Sequence, residues 1–272
     1  MKKKKNIVFI LCSCFIFIFG SFFFIGKNVK KKVSTSKNKY PYYIEKNKER
    51  YYNYKQTHFN YKDSDIITHV NLNLDYPFYT HTSKTPYLNK NYILINKYFF
   101  VDSKYVPSQL EEIQYCTKGN IYLVKEAKEA FETMCSAIQK DNLKLRSISA
   151  YRSYIYQLNL YNKYLVHDTK KNVDTYSAKP GYSEHQSGLV VDVDDGITDF
   201  NNFENTDAFT WMEKNAYKYG FILRYPKNKE KITGYQYESW HYRYVGKKIA
   251  SYIKKHNITF DEYYARFLIK EN

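Results

Sequence analysis

Two stretches of this chain bring together residue types that can hold a metal and split a bond with water. In the first, His185 sits in a glycine-flanked loop and Asp192 follows within the apolar run Leu189-Val190-Val191-Asp192-Val193. Aliphatic and β-branched residues of this kind favour a buried strand. Strand alternation sends Leu189, Val191 and Val193 to one face and Val190, Asp192 and Asp194 to the other. A carboxylate on such a strand is costly unless it is paired, hydrogen-bonded or bound to a metal. In the second stretch, Tyr237 to Gly246, His241 lies in another strand-like run with Glu238 three residues before it. A His/Asp/His set suits zinc, and three protein ligands leave a position open for water. Zinc would bring the pKa of that water down toward about 7, and the Glu238 carboxylate would be free to take its proton. The chemistry implied is hydrolysis with water as nucleophile, without the helical HExxH pattern. On spacing alone Asp194 and Asp195 rival Asp192 as ligand, and Glu184 is expected behind the ligand or facing solvent.

The segments around these residues extend the pattern. Ser183 to Val193 reads SEHQSGLVVDV and Glu238 to Gly246 reads ESWHYRYVG; upstream, Ser149 to Gln157 reads SAYRSYIYQ. Between them Asn215 to Pro226 reads NAYKYGFILRYP. These four collinear elements, spanning roughly Leu145 to Gly246, resemble the VanY-type zinc D-alanyl-D-alanine carboxypeptidases, a family of peptidoglycan metallo-carboxypeptidases. The resemblance implies zinc held by His185, Asp192 and His241, since SxHxxGxxxD aligns on Asp192, with Glu238 as general base. It places Arg152 in the active site, where an Arg fork suits a terminal carboxylate or a developing oxyanion; the bland reading of Arg152 is a surface salt bridge. Ser153, Gln157 and Ser183 are candidates for hydrogen bonds to a bound peptide, whereas Arg224 and Arg243 are read as buttresses of the fold. The implied reaction removes the terminal D-Ala from stem pentapeptides, with wall peptide or lipid-linked precursor as partner. An L,D-carboxypeptidase or an endopeptidase would use the same zinc machinery. A non-catalytic wall-binding module is a different class, and Glu238 argues against it because binding alone needs no acid beside the water.

The elements that must position these residues mix helices and strands without a βαβ rhythm. Ala127 to Lys140 has helical spacing, Leu145 to Ser149 reads as a strand, and Tyr154 to Val166 as a helix. Thr206 or Asp207 caps a helix through Tyr219 that Gly220 stops, and Lys247 to Lys255 is a final amphipathic helix. Ile66 to Leu74 partly alternates and predicts an extended strand. The expected class is α+β, a small, largely antiparallel sheet flanked by helices. The resemblance adds a zinc D,D-peptidase, hedgehog-like fold.

Charge separates this domain from what precedes it. The net charge is +16, but residues 1–64 carry 15 Lys/Arg against 3 Asp/Glu, and the remaining 28 and 24 leave only +4 for residues 65–272. That distribution disfavours a nucleic-acid partner. Ile7 to Gly26 is uncharged, rich in Phe and Ile, and long enough to span a bilayer. No small-residue cleavage site follows it, so it is expected to remain as an anchor. The organisation expected is a basic stub at 1–6, a transmembrane anchor at 7–26 and a Lys-, Asn- and Tyr-rich linker at 27–64. A catalytic domain at 65–265 and a tail at 266–272 follow. The family resemblance orients it as single-pass, with the C-terminal domain on the wall side of the cell membrane. Cys12 and Cys14 fall in the anchor; Cys116 and Cys135 fall in the domain, where a disulfide between them is one option.

Overall fold

The computed structural model describes residues 39–269. The expected stub, the anchor at 7–26, and Cys12 and Cys14 lie outside the described residues. Among the described residues no helix is long and apolar enough to cross a membrane.

The first described elements correct the expected linker. Helices α1 (Lys48–Thr57) and α2 (Asp63–Asn71) pack on each other, burying Tyr43 and Tyr51 against Ile66, Ile67 and Val70. Ile66 to Leu74 is therefore helical at its start rather than an extended strand. The i, i+1, i+4 set Ile66, Ile67, Val70 forms one helix face, and it outweighs the partial alternation. Arg50 fastens the turn that follows, donating to both carboxylate oxygens of Asp75 and to the Val70 carbonyl. The boundary at residue 65 thus falls inside α2.

Next come short strands: β1 (Ser83–Lys84) pairs in parallel with β2 (Phe99–Phe100), and β3 (Leu110–Glu112) pairs antiparallel with β4 (Tyr122–Val124). Between β1 and β2 the run Ile93-Leu94-Ile95 is wholly buried. Helix α3 (Lys125–Lys140) follows the helical spacing, and Ala127, Phe131, Met134, Cys135 and Ile138 all lie in the core. Cys116 and Cys135 are both free thiols.

The central sheet holds β5 (Arg146–Ser149), then, after α4 (Tyr154–Leu165) and α5 (Lys170–Tyr176), β6 (Val190–Asp194). Beyond α6 (Asp207–Asn215) it is completed by β7 (Phe221–Leu223) and, past the short α7 (Glu230–Thr233), by β8 (His241–Tyr244). The strand order is β5-β6-β8-β7, antiparallel throughout. Leu189, Val191 and Val193 join the core with α3, as alternation requires. The expected α6 ends at Asn215 and tightens into a 3-10 turn through Tyr219 before Gly220. Helices α8 (Lys247–His256) and α9 (Phe260–Phe267) close the fold. Because α9 runs to Phe267 and Arg266 donates to Thr68 Oγ1 on α2, Arg266 and Phe267 belong to the domain rather than to a tail.

A buried ion network joins the sheet to α9. The Arg224 guanidinium donates to Glu184 Oε2 at 2.9 Å and to Asp261 Oδ2 at 2.5 Å. Arg243 donates to Glu184 Oε1 at 3.0 Å and to the Ile93 carbonyl at 2.7 Å. These side chains have no exposure at all in either Arg–Glu pair. Removing the shared partner should leave two buried guanidinium groups with only the Asp261 carboxylate to balance them, at a cost of about 3–5 kcal/mol. Glu184→Ala should therefore lower the denaturation midpoint far more than Asp195→Ala does, since Asp195 serves only its own turn through Ile197 and Thr198; urea unfolding of the two variants checks this.

Candidate active site

Sheet register builds the site. Asp192 in β6 stands opposite His241 in β8 and opposite Ser149 in β5, so three strands meet at one carboxylate. A bulge between Ser147 and Ser149 bends the end of β5, and just beyond it the Ala150 carbonyl accepts from His185 Nδ1 at 2.6 Å. That bond fixes the tautomer and leaves Nε2 as a lone-pair donor. His185 rides on a 3-10 turn, Glu184–Ser187, which ends at Gly188 with φ +67°. A Cβ at Gly188 would meet Leu110 Cδ2 at 2.8 Å, so the turn can close only on glycine.

His185 Nε2 lies 3.4 Å from Asp192 Oδ2, and His241 Nδ1 lies 3.2 Å from Asp192 Oδ1. The three residues offer ligand atoms that all fall within 4.8 Å of one another, and each is buried. Asp192 Oδ1 accepts no hydrogen bond of sound geometry despite its burial. Electron-pair donors gathered in this way around a buried carboxylate are what a cation settles; the set fits zinc. Burial, reinforced by the charge of Arg152, pushes His185 down to about 3, keeping its imidazole neutral. Burial alone would raise Asp192, but His185 and Arg152 hold its carboxyl well below the usual carboxylate range.

Glu238 Oε2 stands 3.3 Å from His241 Nδ1. Its backbone N–H is held by the Tyr225 carbonyl. Burial pushes its carboxyl up to about 7 against the opposing pull of His241. Arg152 Nη2 donates to Asp192 Oδ2 at 2.6 Å and Nε to Ser149 Oγ at 2.9 Å. The surface salt bridge weighed for Arg152 is thus replaced by a contact within the site.

The remaining expected residues divide. Gln157 and Ser183 are buried in the wall of the same cleft. Gln157 spends Nε2 on the Ala178 carbonyl, while its Oε1 has no partner. Ser153 is not brought to the wall: its hydroxyl caps α4, accepting from Tyr156 N, which is the ordinary use of a serine before a helix. Asp194 shares the face of Asp192, yet both its oxygens are taken by Arg146, at 2.9 and 2.7 Å. Asp195 accepts from Ile197 and Thr198 in a turn. Glu184 is neither solvent-facing nor idle, as the buried ion network requires. Sequence reasoning missed Ser149, the seat of Arg152 Nε, and the Tyr235 and Tyr225 rings, which lie tilted against each other at 4.8 Å, with Tyr225 tilted against His241 at 4.7 Å, in the wall of the cleft. Ser149 and Tyr225 stood inside quoted motifs; nothing in the sequence marked Tyr235.

Comparison with known proteins agrees with this geometry. The profile of the VanY family, described as D-alanyl-D-alanine carboxypeptidase, matches residues 120–247. A putative carboxypeptidase, YodJ, of Bacillus subtilis is 40% identical over 184 residues, covering 64% of this chain and 66% of its own length. A D-alanyl-D-alanine carboxypeptidase of Enterococcus faecium is 35% identical over 195 residues, covering 71% of this chain and 55% of its own. The match thus spans less than two thirds of either relative. Among solved structures, the LdcB LD-carboxypeptidase superposes with a TM-score of 0.60 at 39% identity, over 64% of this chain and 85% of that one. The vancomycin-resistance D,D-pentapeptidase VanY from a VanB-type cassette, solved as a variant in complex with Zn(II), gives 0.55 at 30% identity over 64% and 98%.

The two aspartates of β6 should separate cleanly in a metal titration. Asp192→Asn should weaken zinc binding by more than the roughly 10–100-fold that loss of an outer partner costs. Asp194→Asn, which disturbs Arg146 and the turn at Gly196 rather than the cluster, should leave zinc affinity unchanged; competition against a chromogenic chelator measures both.

Proposed function

This chain belongs to the VanY family of D-alanyl-D-alanine carboxypeptidases, and we propose that it is a zinc-dependent D,D-carboxypeptidase that trims the terminal D-Ala from peptidoglycan stem pentapeptides. The observation that carries this reading is the meeting of His185, Asp192 and His241 within 4.8 Å, with the raised Glu238 carboxyl 3.3 Å from His241. Zinc bound by the three ligands supplies a Lewis acid that lowers the pKa of water and polarises a carbonyl. Glu238 accepts a proton from the water that attacks the terminal peptide carbonyl, then returns it to the nitrogen of the leaving D-alanine. Arg152 holds Asp192 in place and presents its planar fork toward the oxyanion or the substrate's terminal carboxylate. The unpartnered Gln157 Oε1 accepts from a peptide N–H.

The cleft also bears on the choice of substrate. In a tetrapeptide the residue before the scissile bond is a diamino acid whose amine calls for an acidic partner; in a pentapeptide it is D-Ala. The carboxylates that line the cleft among the described residues are Glu184, Asp192 and Glu238. Glu184 is spent on two arginines and the others on the catalytic centre, which supports the D,D reading. The likeness to LdcB supports the L,D reading as the alternative. Residues 7–26 serve in this proposal as the membrane anchor, holding the domain on the wall side beside nascent peptidoglycan and its lipid-linked precursor.

Incubation of the full-length, detergent-solubilised protein with zinc and synthetic stem peptides tests the reaction. One D-alanine should leave the pentapeptide, and a chelator should stop its release; release from the tetrapeptide alone would establish the L,D alternative. Glu238→Ala should cut turnover by about 10²–10⁴-fold while leaving zinc bound, whereas His241→Ala should lose both. Equal zinc loss in the two variants would overturn the assignment of base and ligand.

A further inference from the structure

Lys97 precedes β2, far in sequence from the motifs of the site, and is 2% exposed. Its ammonium donates to the Asp174 carbonyl in the last turn of α5. It also lies over the rings of Tyr235, Tyr79 and Phe78, at 4.1, 5.0 and 5.3 Å from their centroids. The charged groups facing it are the Asp174 carboxylate and the Lys179 ammonium. That carboxylate is itself engaged, by the Tyr161 hydroxyl and by Lys179 at 3.9 Å. Lys97 is therefore matched by a carbonyl and three rings rather than by a dedicated ion pair, an arrangement that suits a desolvated cation. Its stem runs over Gly234, where φ is +78° and a Cβ would come within 2.6 Å of Lys97 Cε.

The segments that converge on this ammonium are two walls of the cleft. One is the end of α5, leading into Tyr176, Ser177 and Ala178; the other is the run from Tyr235 to Glu238. The walls touch through a single backbone bond, Gln236 N to the Thr175 carbonyl at 2.9 Å. Behind it, Lys97 holds both, one by hydrogen bond and the other by ring contact.

We propose that Lys97 is a positioning residue, which clamps the Tyr235–Glu238 run against α5 and so sets where Glu238 stands relative to bound peptide. The inference rests on the catalytic reading of the site above. Burial pushes the ammonium down to about 8, with Asp174 opposing and Lys179 adding to the shift. A charge kept at such a disadvantage contributes little to stability, so its use is sought in the geometry it imposes.

The test compares wild-type protein with Lys97→Met, which keeps the length of the stem and removes charge and donor. Zinc content, melting temperature, amide hydrogen exchange and steady-state kinetics on the pentapeptide are measured together. The melting temperature should stay within about 3 °C of wild type and zinc should remain stoichiometric. Exchange should rise over residues 170–178 and 233–238 and not elsewhere. Catalytic efficiency should fall at least about tenfold, mostly in kcat, as a misplaced base predicts. Unchanged exchange and kinetics would overturn the proposal, and so would a loss of stability spread over the whole molecule. If Lys97→Met does not fold, Phe78→Leu removes a ring of the cage that does not line the cleft, and the same local pattern is required of it. An inactive wild-type protein would instead refute the catalytic reading, while the exchange pattern would still judge the clamp.

Discussion

Everything at the site stands on a carboxylate buried behind it. Glu184 has no contact with water and would be intolerable there as a lone charge; it persists because Arg224 and Arg243 each donate to one of its oxygens. Those arginines come from just past β7 and from β8, and Asp261 of α9 completes the charge balance. The residue after Glu184 is His185, and the residue two before Arg243 is His241. The network therefore locks the backbone beside both histidines. A buried ion network of this type adds little net stability compared with apolar packing, yet its arms are costly to break singly. Here it fixes the turn of His185 and the strand of His241 in one frame.

On that frame, sheet register does the remaining work. With β6 placed between β5 and β8, Asp192 is opposed by His241 on one side and Ser149 on the other. A slip of one residue in β6 would turn Asp192 into the apolar core and Val191 or Val193 into the cleft. The apolar alternation that builds the core thus also aims the carboxylate. Arg152 joins this arrangement from the loop after β5, tying the motif around Ser149 to Asp192 directly.

The clustering of His185, Asp192 and His241 was legible in the sequence because each sits in a short motif whose local structure is simple: a glycine-closed turn or an alternating strand. The helices α3 and α8 were legible for a similar reason, an apolar period sustained over several turns. The region before residue 72 was not. Helix α1 is tyrosine-rich and has almost no apolar periodicity, so Tyr43 and Tyr51 became core only through pairing with α2. Ser153 was misjudged because the same hydroxyl serves equally well as helix cap and peptide ligand, and only geometry separates them. Lys97 was invisible: a lysine interrupting the apolar and aromatic run from Tyr92 to Phe100 gives no sign that three aromatic rings from distant segments will close around it.

The strand order carries a consequence for synthesis. β8 is the last strand made, yet it enters the middle of the sheet, between β6 and β7. As the chain emerges, β6 can pair with β5 but must wait, one edge open and its valines unshielded, until roughly fifty more residues have followed. Open apolar edges of this kind recruit other chains. The nascent protein therefore passes through a window in which the strand that carries Asp192 still has an open edge, and the arrival of His241 ends that window.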